Sequence, residues 1–116
     1  MTVNAEPLVI AELNRVKGVG FASADVPATR PKAFVTVERV GGPRELHLDH
    51  PRLAVQCWSD TRHKASELAS EVAEIIREMV VHPNVGRVAI SSIYNFPDPS
   101  SGSARYQMTV EIVTHG

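Results

Sequence analysis

At 116 residues, 43% hydrophobic and 22% charged, with a formal net charge of −1, the sequence describes one domain, 1–116, with a modest core. The lack of a basic excess and an aromatic share of 5% argue against gripping nucleic acid through phosphate neutralisation or a stacking platform. The single cysteine, Cys57, excludes an intrachain disulfide. With no basic–apolar leader and no apolar run near the ~20 residues of a bilayer span, a soluble protein of a reducing compartment is expected.

Residues 6–17 read as a first helix. Pro7 suits its opening turn, Val9, Ile10, Leu13 and Val16 recur at helical spacing, and Gly18 and Gly20 end it. Residues 19–32, punctuated by Pro27 and Pro31, read as an extended connection long enough to be a working loop. Residues 33–40 have the β-branched content of a strand, and Gly41-Gly42 follows as a turn. Short strands are expected at 44–48 and 52–59, the latter with Leu53, Val55 and Cys57 on one face and Ala54, Gln56 and Trp58 on the other. Three strands joined by tight turns make an antiparallel meander.

The rhythm then changes from two to three-and-a-half. Ser59, Asp60 or Thr61 can cap a helix whose apolar stripe is Ala65, Leu68, Ala69, Val72, Ile75, Ile76 and Met79, ending before Pro83. Residues 86–96 read as a strand, 97–103 as a loop, and the following segment alternates Tyr106, Met108, Val110 and Ile112 against Arg105, Gln107, Thr109 and Glu111. The order α-β-β-β-α-β-β predicts an α+β fold: a single mainly antiparallel sheet with two helices packed on one face.

Chemistry-bearing motifs are absent. Cys57 sits mid-strand as a small buried hydrophobe, and no nucleophile elbow, phosphate loop or dinucleotide fingerprint appears. His47, Asp49 and His50 lie close together but lack the convergent spacing of a zinc site and read as turn and surface residues. Glu67, Glu71, Glu74 and Glu78 read as a solvated or subunit-facing helix side. Arg30, Lys32, Arg39 and Arg44 form a thin basic zone, while Trp58, Tyr94 and Phe96 are core by default and interface anchors if exposed. The expectation is a protein that is not an enzyme, with no catalytic residue, metal or cofactor.

Three segments carry a resemblance. They are "RPKAFVTVERVGG" from residue 30, "LAVQCWSDTRHKASELASEVAEII" from residue 53 and "YNFPDPSSGSARYQMTVEIVTHG" from residue 94, together about 60 of the 116 residues. In this order they resemble the tail terminator proteins of long-tailed phages, especially those infecting actinobacteria. The resemblance implies a structural virion protein at the neck-proximal end of the tail, assembled in the bacterial cytoplasm. Such proteins form a hexameric ring that caps the tail tube, stops its polymerisation and joins it to the head connector. The implied partners are further copies of itself, the major tail tube protein and the head–tail connector protein, with DNA passing through the pore without specific binding and no membrane contact. Loop position and aromatic content nominate Arg30, Lys32, Arg39, Arg44, Phe96, Pro97, Asp98, Pro99 and Arg105 as partner-contact residues. A neighbouring head–tail connector or tail-completion protein, and a small monomeric ligand-binding module, are the alternatives.

Overall fold

In the computed structural model, which describes residues 4–115, two helices and a mostly antiparallel sheet share one core. Helix α1 spans Ala5–Lys17; Asn4 caps it by accepting the Glu6 amide at 3.2 Å, and Gly18 closes it at φ 114°, a conformation that favours glycine. Val9 and Leu13 of its expected face are fully buried, whereas Val16 is half exposed. Ala22–Ser23 forms a short strand, β1, and Phe34–Gly41 forms β2. Leu48–Asp49 is β3, Arg52–Ser59 is β4, and Arg62–Arg77 is α2, continued by a 3-10 turn over Glu78–Val81. Val85–Asn95 and Ala104–His115 are β5 and β6.

Helix α2 follows the sequence closely. Its cap is Thr61, whose hydroxyl accepts the Lys64 amide at 3.1 Å. Ala65, Ala69, Val72, Ala73 and Ile76 are buried, with Met79 buried in the 3-10 turn and Leu68 and Ile75 packed against the cluster. Replacing Thr61 by Ala orphans a helix N-terminal amide, and we expect a loss of about 1 kcal/mol in chemical denaturation. A Thr61→Asp variant, which caps equally well, should restore it.

The meander expected from residues 33–59 does not form. β2 pairs directly with β4, from Phe34 opposite Trp58 to Gly41 opposite Arg52. Of the segment expected as a strand at 44–48, Arg44 makes an isolated bridge to Asp49 and only Leu48 joins a strand, Leu48 and Asp49 pairing with His115 and Thr114 at the end of β6. The cause is local. Prolines at 43 and 51 bracket the excursion, Gly42 sits at φ 100°, and a Cβ there would lie 1.9 Å from the His50 carbonyl oxygen. β3 therefore extends the line of β4 along β6, bridged by the Ile112 amide donating to the Pro51 carbonyl at 3.2 Å. The expected long loop at 19–32 also contains β1, which pairs in parallel with β2. Asn14 fixes it: its carboxamide accepts the Ala22 amide at 2.7 Å and donates to the Ala22 carbonyl at 3.1 Å, imitating a neighbouring strand. The observed order is thus α1-β1-β2-β3-β4-α2-β5-β6.

β6 is central, with β4 and β3 on one side and β5 on the other, so the strands run β1-β2-β4-β6-β5 across the sheet. Period-two alternation sends Val35, Val37, Leu53, Val55, Met108, Val110 and Ile112 into the cluster that contains Val9 and Leu13 of α1 and Val72 and Ile76 of α2. The opposite side carries Thr36, Glu38, Ala54, Gln56, Gln107 and Thr109. Among the described residues no helix is long and apolar enough to cross a membrane.

Candidate functional site

The side of the sheet away from the apolar core is built from hydrogen-bonding groups in register. Thr36 stands opposite Gln56, Gln56 opposite Gln107, and Gln107 opposite Tyr94. Cross-strand neighbours on one face lie close enough to bond. The Thr36 hydroxyl donates to Gln56 Oε1 at 3.2 Å, Gln56 Nε2 to Gln107 Oε1 at 2.7 Å, and Gln107 Nε2 to Tyr94 Oη at 2.6 Å. Trp58 Nε1 joins the chain through Thr36 Oγ1 at 3.4 Å. This uncharged ladder crosses four strands. It was hidden in the sequence because its members meet only once register is known.

One end of this face carries an aromatic–arginine stack. Phe34 and Trp58 lie nearly parallel, 13° between planes, with centroids 5.2 Å apart. The Arg105 guanidinium lies 4.8 Å from the Trp58 ring and 4.6 Å from the Phe96 ring, and its Nε donates to the Phe96 carbonyl at 2.7 Å. Alternation assigns Arg105 to the wet side of β6, yet it is only 9% exposed, because rings from β4 and from the 96–103 loop cover it. Arg30 lies 5.2 Å from Trp58 and donates to Ser101 and Ser103 at 3.3 and 3.4 Å, tying the 24–33 segment to that loop. Each cation–ring contact adds of order 1 kcal/mol when partly desolvated.

The loop is closed by its own acid. The Asp98 amide donates to the Ser103 carbonyl at 3.1 Å, and the Asp98 carbonyl accepts the Gly102 amide at 2.8 Å. Its carboxylate accepts from the Ser101 and Ser100 hydroxyls, which holds the carboxyl below the usual range. Pro97 and Pro99 are exposed. Of the residues nominated from sequence, Arg30, Phe96, Asp98 and Arg105 meet in this cluster, and Lys32 lines a shallow cavity beside Trp58 and Ser103.

Arg39 and Arg44 lie elsewhere, where the 42–51 excursion folds back. Asp49 has no solvent exposure, and Arg39 grips it with both terminal nitrogens at 2.6 and 2.9 Å while Arg44 adds a third contact at 3.2 Å. Arg39 also donates to the Gly42 carbonyl at 2.9 Å. Hydrogen bonding from Arg39 lowers the Asp49 pKa. These contacts give Arg39 and Arg44 a fold-holding task. Sequence reading placed Asp49 among turn residues and missed it as their anchor; the signal was an acid flanked by two arginines five and ten positions away.

Cys57 is fully buried in the core, and burial pushes its thiol pKa up. Glu67, Glu71, Glu74 and Glu78 are all exposed along α2, with Glu71 paired to Lys17 of α1. Among the described residues no group of three or more His, Cys, Asp or Glu side chains is arranged to hold a metal ion. What the surface offers is shape, hydrogen bonds and stacked cations. No protein-family model matches the chain, and no curated protein matches it.

Proposed function

We propose that this chain is a structural ring protein: a phage tail terminator that caps the head-proximal end of the tail tube, stops its growth and offers the head connector a docking surface. The observation that carries the reading is the ordered, uncharged face of Thr36, Gln56, Gln107 and Tyr94 left beside the core. In this reading both helices brace one side of the sheet, and the other side carries the ladder, partly covered by the 24–33 segment. The amides and hydroxyls of the ladder itself carry no charge, so the ladder offers passing DNA nothing that neutralises phosphate. The stack around Trp58 and Arg105 holds the 96–103 loop in a fixed pose, which suits a loop that must meet a partner in one geometry. The three sequence segments that resemble tail terminators support the same reading. The elongated outline, 42 × 25 × 24 Å, suits a subunit that packs side by side with its copies around an axis.

The position of the chain on the tail tests this reading. Gold-labelled protein added to assembled tail tubes should mark one end only and arrest further tube growth. Labelling of the head portal in place of the tube end would transfer the chain to the neighbouring connector position.

A further inference from the structure

The two edges of the sheet are unlike. The β2 edge is sealed: β1 pairs with its first residues, and farther along the Arg39 amide donates to the Glu6 carboxylate at 2.8 Å. The β5 edge is bare. β5 is 11 residues long and, among the described residues, pairs only with β6. The His115 amide donates to the Asn84 carbonyl, and the Ile112 amide to Pro51. Odd-numbered residues of β6 therefore bond β5, and their partners Arg87, Ala89 and Ser91 point inward. The amides and carbonyls of Val88 and Ile90 face outward with no strand beside them. Between register shifts at 85/87 and 91/94, the regular stretch 87–91 carries Arg87 as its single charge and is a template for strand addition.

A segment suited to that edge exists at the far side of the same chain. Residues 26–32 are exposed or half-exposed, and among the described residues none of their backbone amides has a hydrogen-bond partner. The segment is bent at 28–29, and once extended against an edge it puts both missing N–H groups, of Pro27 and Pro31, on one side, since the two share one parity. The other side, Ala28, Arg30 and Lys32, keeps a complete set of donors and acceptors. Such a segment can pair on one edge and cannot propagate further. Its direction fits as well. It returns from the end of β1 to the start of β2 and so runs opposite to β2, as β5 does across three antiparallel pairings.

We propose that the 24–33 segment of one copy adds as a parallel strand to the β5 edge of a second copy, which rests on the ring reading above. Because the segment leaves from β1, at the edge opposite β5, the contact joins two different surfaces and repeats head to tail, the geometry that closes a ring. Charge supports the pairing. Asp25 and Arg87 each lack an ion-pair partner among the described residues, and they are the only acid in the segment and the only charge on β5.

Paired cysteines test the contact, since Cys57 is buried and does not compete. Mild oxidation of an Asp25→Cys/Arg87→Cys double variant should give a ladder of covalent multimers on a non-reducing gel. Each single variant should stay uncrosslinked, because a disulfide needs Cα atoms within roughly 7 Å. Mixing the two singles should give a dimer and nothing larger. A covalent dimer from Arg87→Cys alone would mean that two β5 edges meet about a two-fold, which overturns the proposal. Closed rings by electron microscopy without the ladder overturn this contact and leave the ring reading standing. A monomer by native mass spectrometry of the unsubstituted chain overturns both.

Discussion

Trp58→Ala should cost about 3–5 kcal/mol of folding stability, the range for deleting a large buried aromatic side chain. With a typical domain holding only ~5–15 kcal/mol in total, this is a large fraction. Trp58 is 3% exposed and has Phe34 stacked on it, with Arg30 and Arg105 also against its ring. Removing it also strips one of the two rings that cover Arg105, so a nearly buried guanidinium loses much of its packing. The denaturation midpoint followed by circular dichroism measures the loss, since the chain's one tryptophan is gone. Trp58→Phe, which keeps a ring in the stack but not the bond to Thr36, should recover more than half of it. Faster proteolysis at residues 97–103 in Trp58→Ala would tie the stack to the pose of the loop. An unchanged cleavage rate would show that Asp98 alone holds it.

Asp49→Ala is the second large effect, at about 3 kcal/mol. Breaking a buried ion pair from one side leaves the other charge without its partner. We take the low end of the range for such losses because the Arg39 side chain retains 24% exposure and Arg44 retains 57%. The pH dependence has a definite sign. Asp49 titrates lower folded than unfolded, so its contribution is fully present above an unfolded carboxyl pKa of about 3.9 and fades as pH falls through the folded value. The stability difference between the native chain and Asp49→Asn should therefore be constant from neutral pH down to about pH 4 and shrink below it. A difference that grows on acidification would contradict the ion-pair account.

What the sequence made legible follows from the range over which each signal acts. The start of α2 was readable because its stripe and its threonine cap are local properties of one segment, whereas its end, expected before Pro83, comes at Arg77 with a 3-10 turn after it. The alternation of β6 was equally plain, and Met108, Val110 and Ile112 are buried as it implies. Arg105 departs from that alternation because distant residues, Trp58 and Phe96, supply its cover. β1 was unreadable for the same reason: two residues become a strand only because Asn14, eight positions away, reproduces a strand's hydrogen bonds. The meander failed because Pro43, Pro51 and the Gly42 turn fold the excursion back, where Asp49 meets Arg39, and no periodicity encodes that meeting. The sequence put Arg30 in one basic zone with Arg39 and Arg44, whereas the fold sets Arg30 beside Trp58 and the 96–103 loop and sets Arg39 and Arg44 around Asp49.

The measurement that bears most directly on the structural-ring account is native mass spectrometry of the purified chain at high concentration, with electron microscopy of the same sample. The account predicts one closed subunit number and annular particles with an axial hole. A two-fold dimer with no central opening, unchanged when tail tubes are added, would contradict it.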